Sequence, residues 1–77
     1  MIVVFSDETV GRNIKDIRKK YHISQIGLAK LTGISVQKLR LIENGILREM
    51  DASFLLRIGE IFAIDVEKLQ KNQIISD

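Results

Sequence analysis

Apolar residues recur along this chain at helical spacing. Val10, Ile14, Ile17 and Tyr21 stand at i, i+4, i+7 and i+11, one stripe of an amphipathic helix over about residues 8–21. Asp7 or Ser6 is placed to cap it, and Lys19 and Lys20 suit the negative end of its dipole. Leu28, Ala29 and Leu31 predict a second helix over about 25–32 behind a Ser24 cap. Leu39 and Ile42 predict a third over about 36–44 that stops at Asn44-Gly45. Phe54, Leu55, Ile58, Ile61 and Phe62 form one face of a fourth helix capped by Asp51. Asp65 would start a short fifth carrying Val66 and Leu69, and residues 46–50 read as a loop. The expected fold class is all-α with five helices, in one domain over residues 1–77 with an apolar N-terminal arm at 1–7 and a C-terminal tail at 72–77.

The ends break the polar-tail pattern. Ile2, Val3, Val4 and Phe5 at one end, with Ile74 and Ile75 at the other, are β-branched or large apolar residues where disorder usually prevails. Two readings stand: they cover the domain's own core, or they form a short strand that pairs across a dimer. A chain of 77 residues supports a core worth only about 3–5 kcal/mol, so every apolar residue counts.

Composition narrows the chemistry. There is no cysteine and one histidine, His22, which rules out disulfides and thiolate metal sites and leaves no metal ligand set. No cofactor and no small-molecule ligand is indicated. No nucleophile and base stand together at useful spacing, and Ser24 and Ser35 are explained as helix caps, so the chain is not expected to be an enzyme. The apolar run at residues 1–5 is followed at once by Asp7 and Glu8, too short for a signal peptide or a membrane span. A cytoplasmic protein without membrane contact is expected.

Residues 24–45 carry the strongest signal. Two short helices are joined at Gly33, which takes φ > 0 without the clash of a Cβ; Ile34 plugs the corner and Ser35 caps the second helix. That is the arrangement of a helix-turn-helix. The formal net charge is +2, but residues 10–40 hold eight basic side chains (Arg12, Lys15, Arg18, Lys19, Lys20, Lys30, Lys38, Arg40) against one acid, Asp16, a local net of +7. Such a surface neutralises phosphates.

With Leu39 and Ile42 fixing the buried side, the third helix shows Val36, Gln37, Arg40, Leu41 and Asn44. Gln37 can donate and accept at once and so match adenine; Val36 and Leu41 can touch a thymine methyl; Arg40 meets phosphate or a guanine edge, and Lys38 phosphate. Gln25 offers an amide beside the free N–H groups of a helix start, either for phosphate or merely to solvate that start. Asn44 either donates to phosphate or serves as a C-cap. Arg18 and Glu43, turned partly inward, form a structural ion pair between the first and third helices.

These residues together resemble the Cro and lambda-repressor type of helix-turn-helix, the XRE family of bacterial and phage regulators. The resemblance runs from Ile14 to Leu69 and rests on Arg18, Ser24-Gln25, Leu28-Ala29, Gly33, Ile42 and Glu43-Asn44-Gly45. It implies a five-helix lambda-repressor-like fold, with helices 2 and 3 as the motif. It also implies sequence-specific binding of double-stranded DNA as a homodimer on a near-palindromic operator, repressing or otherwise regulating transcription. Residue by residue it places Gln25 and Asn44 on phosphate, Val36, Gln37 and Leu41 at base-facing positions, and Arg18 with Glu43 in the tying pair; Ser35, Lys38 and Arg40 are counted with them as DNA-binding residues. Gly27 departs from a usual glutamate, Gly59 from an alanine and Leu41 from a polar or basic residue. The alternative is a protein-interaction module or antitoxin-type partner binder that keeps the fold with weak DNA affinity, suggested by the apolar Val36 and Leu41.

Overall fold

The apolar stripe at residues 10, 14 and 17 becomes the buried face of helix α1 (Thr9–Lys20). In the computed structural model, which describes residues 1–70, it is followed by α2 (Gln25–Thr32), α3 (Val36–Glu43) and α4 (Ala52–Phe62). Val10, Ile14, Ile17, Leu28, Leu39, Ile42, Phe54, Leu55, Ile58 and Phe62 form one core between these helices. Tyr21 does not continue the stripe inward. The helix has ended at Lys20, and the Tyr21 ring lies half in solvent with its centroid 5.4 Å from that of Phe62.

The helix ends follow the local chemistry of their side chains. Ser24 and Ser35 accept the backbone N–H groups of Gly27 and Lys38 at 3.0 and 3.1 Å, and Asp51 accepts that of Ser53 at 3.2 Å, each satisfying a donor that the first helical turn leaves unpaired. Helix α1 differs. Its N-cap is Glu8, which makes no capping bond, and Asp7 instead takes the N–H of Thr9 at 2.9 Å. Gly33, at φ 79°, ends α2. Gly45, at φ 75°, follows α3 and lets Ile46 N–H reach back to the Leu41 carbonyl at 3.0 Å.

Two features correct the all-α, five-helix expectation. The fifth helix is a 3₁₀ segment, Val66–Gln70: its two apolar positions, Val66 and Leu69, are three apart, and five residues are too few to sustain an α-helical ladder. The second is a small sheet. Strand β1 (Ile2–Val4) pairs antiparallel with β2 (Glu49–Asp51), in the register Ile2 to Asp51, Val3 to Met50 and Val4 to Glu49. Alternation decides which residues go inward: Val3 and Phe5 pack on the core beside buried Met50, while Ile2 and Val4 face out. The segment expected to be a loop thus supplies a strand, and the apolar N-terminus is tied to its own chain. The readings made for Ile74, Ile75 and the tail lie outside the described residues.

Candidate nucleic-acid interface

Helix α3 is held against the body by Leu39 and Ile42, both essentially inaccessible to solvent. Gln37, Lys38, Arg40, Leu41 and Asn44 are exposed, as is Ser35, whose hydroxyl is engaged as the cap. Val36 is a correction. It is half-buried because it packs against the core, which leaves Leu41, 42 % exposed, as the outward apolar group of α3.

Behind this face lies a buried polar network. Arg18 Nε and Nη2 donate to the two oxygens of Glu43 at 2.7 and 2.9 Å, a bidentate ion pair with the residues 8 % and 5 % exposed. The remaining guanidinium nitrogen donates to the Ile23 carbonyl at 2.8 Å. A charge pair taken out of water is tolerable only when its other polar atoms are also satisfied, and among the described residues no buried side-chain polar atom lacks a partner. The pair fixes the end of α3 to α1.

Gln25 sits at the first turn of α2, yet its amide is not idle. Its Nε2 donates to Glu43 at 3.0 Å and its Oε1 accepts from Arg40 Nε at 3.3 Å. A relay therefore runs Arg18, Glu43, Gln25, Arg40 from the interior to the surface. Asn44 is the C-cap of α3, and the cap is made by its backbone N–H to the Arg40 carbonyl, so its side chain remains exposed. Lys38 lies toward the start of α4. With Asp51, Ser53 and the motif's turn it borders a cleft of about 240 Å³, below the usual range of small-molecule pockets.

The positive charge is redistributed by folding. Arg18 is neutralised by Glu43, and Arg12 pairs with Glu8 at 2.9 Å. Among the described residues no lysine makes an ion pair, and Lys30 and Lys38 on the motif are exposed. Asp51, close to Lys38, has its carboxyl held below the usual aspartate value. The Ser53 backbone N–H is the main cause, with the Ser53 hydroxyl, the Met1 ammonium and Lys38 adding to it.

Two residues of α1 that set how other elements seat on it were not singled out from the sequence. Gly11 lets α1 approach so closely that a Cβ there would overlap the Ile42 carbonyl oxygen. Asn13, buried in the same helix, donates from Nδ2 to the Leu69 carbonyl at 2.7 Å and ties in the 3₁₀ segment. A clue existed for the first: a glycine inside a helix costs about 1 kcal/mol of propensity, so its presence there asks for a packing reason. Among the described residues no group of three His, Asp or Glu side chains is placed to hold a metal, and no helix is long and apolar enough to cross a membrane.

Residues 14–69 match the model of the helix-turn-helix family HTH_3. Among solved structures, the chain is similar to SinR, the master regulator for biofilm formation, in its crystal structure in complex with DNA. The identity is 26 % and the TM-score 0.73, over 80 % of this chain and 98 % of that one. It is also similar in fold to the N-terminal DNA binding domain of SinR from Bacillus subtilis, with 24 % identity and a TM-score of 0.76 over 86 % and 96 % of the two chains. No curated protein matches.

Proposed function

Because this chain belongs to the helix-turn-helix family HTH_3, of the XRE or Cro type, we propose that it binds double-stranded DNA through α3 and regulates transcription, as a homodimer on a near-palindromic operator. The observation that carries the proposal is the outward row Gln37, Arg40, Leu41 and Asn44 on a helix locked from behind by the Arg18–Glu43 pair. The DNA complex of its structural relative supports the same reading.

A helix of this width enters the major groove with its N-terminal residues deepest. Gln37 then reads an adenine edge, Leu41 contacts a thymine methyl, and Lys38 and Asn44 meet phosphates on either flank. Arg40 reaches phosphate or guanine from a position set by Gln25. In this arrangement Gln25 contacts phosphate with the amide hydrogen that Glu43 does not use, so its main work is to aim Arg40. Two copies would place their α3 helices about 34 Å apart, one turn of duplex.

Selection of bound duplexes from a random pool, repeated at low and moderate salt, tests this. A two-fold symmetric enriched site whose affinity falls steeply with salt is expected. Gln37→Ala should relax preference at one base pair per half-site by roughly 1–3 kcal/mol and leave the melting temperature unchanged. Leu41 favours a second reading, a protein-interaction module, since an exposed leucine on this face also suits a partner surface. Weak, unselective retention would decide for it.

A further inference from the structure

The outer edge of β1 is built to meet its own copy. Phe5 N–H donates to the Arg48 carbonyl at 3.0 Å and Ala52 N–H to that of Met1 at 2.7 Å. These bonds fix the parity of the ladder: Met1, Val3 and Phe5 turn their backbone groups to β2, so those of Ile2 and Val4 point away from it. Among the described residues no further strand pairs there. The Ile2 and Val4 side chains, 58 % and 69 % exposed, stand together on the outer face. Soluble proteins blunt such edges with lysine, proline or a bulge. Residues 2–4 have none of these.

We propose that two copies pair antiparallel through their β1 edges, centred on Val3, as the dimer contact. The inference rests on the dimeric DNA-binding reading above and names its interface. In this register the N–H and C=O of Ile2 meet the C=O and N–H of Val4 in the other copy, and reciprocally, so the edge is complementary to itself, as a two-fold contact requires. Each Ile2 side chain lies against a Val4 of the partner copy, a β-branched cross-strand pair. Charge permits the contact. The edge carries no charged side chain, and Glu49 and Asp51 sit on the outer strands, so the facing acids stand more than about 10 Å apart, near or beyond the screening length.

The short contact also sets its strength. An edge of three residues covers well under the ~800 Å² per partner of a stable complex. The free protein is therefore mostly monomeric, and neighbouring half-sites on one duplex, at effective concentrations near mM, complete the pairing.

The test uses the whole chain without DNA, so its failure is separate from a failure to bind duplex. Sedimentation and amide exchange are followed from about 10 μM to about 1 mM, the range in which a weak contact becomes populated. The expected result is a weight-average mass rising above 8.8 kDa, with the Val4 and Ile2 amides gaining protection at high concentration only. Val4→Lys and, separately, Ile2→Lys should each weaken association at least about tenfold while melting as the parent does, because both side chains lie outside the core. Leu56→Lys, an equally exposed change on α4, should leave association intact. Three outcomes would overturn the proposal: parent-like association of both lysine variants, no association up to the highest concentration, or protection of the Val4 amide at every concentration, which would mean the same chain occupies the edge.

Discussion

A methyl group added at residue 11 has nowhere to go, since the backbone of Ile42 already fills the space a Cβ would take. Neither partner atom is the end of a flexible side chain, so α1 and α3 must separate. Gly11→Ala should lower stability by about 1–3 kcal/mol despite its better helix propensity, measurable as an earlier denaturant midpoint, and should weaken DNA binding by tilting α3. The opposite sign is expected at Ala63, the C-cap of α4, which stands at φ 53°. An L-residue there carries a steric penalty that glycine lacks. Ala63→Gly should raise stability by up to about 1 kcal/mol, seen as a higher melting temperature. The caps Ser24, Ser35 and Asp51 could be read from sequence because each acts on an amide two or three residues away. The role of Gly11 could not, because it depends on a carbonyl thirty-one positions along the chain.

At the scale of elements, α3 is aimed by its attachment to α1. Arg18→Leu alone strands a buried carboxylate and should destabilise by about 3–5 kcal/mol, whereas Arg18→Leu with Glu43→Leu should recover most of that loss. Chemical denaturation of both variants and of Glu43→Leu completes the cycle. The double variant should still bind DNA poorly, because Gln25 loses its anchor and Arg40 its orientation. Helices α1 and α4 were legible in the sequence because their apolar period repeats over two turns or more, and α2 and α3 because a serine cap opens each and Gly33 or Gly45 follows its end. Val66 and Leu69 span a single turn, where α and 3₁₀ spacing look alike. The strands are three residues long and nearly fifty apart in the chain, so neither shows a period of its own. The outward row of α3 followed from its angular spacing, with Val36 misplaced because its environment is set by packing on the core rather than by the helix itself.

At the scale of the whole molecule, two exposed aspartates at helix starts each contribute to acid stability. Asp7 is held below the usual value of 3.8 chiefly by the Thr9 backbone N–H, and Asp51 chiefly by that of Ser53. A carboxyl whose pKa is lower in the folded state contributes stability that is complete above its unfolded value and is lost as pH falls through the folded one. The contribution of these two groups should therefore be flat above about pH 5 and decline below about pH 4. Asp51→Asn keeps the cap but cannot titrate, so its melting temperature should fall less steeply than the parent's over that acid range.

The close seat of α3 on Gly11 also bears on how such a protein could acquire new targets. With its backbone resting on a bare α-carbon and its end clamped by Arg18, the helix has little freedom to roll or shift against the body. Altered preference would then come from exchanging the outward side chains at positions 37, 40 and 41, each exposed and removable without disturbing the core. The domain behaves as a rigid handle with a replaceable tip, a division that would let diversification of its targets proceed almost independently of its stability.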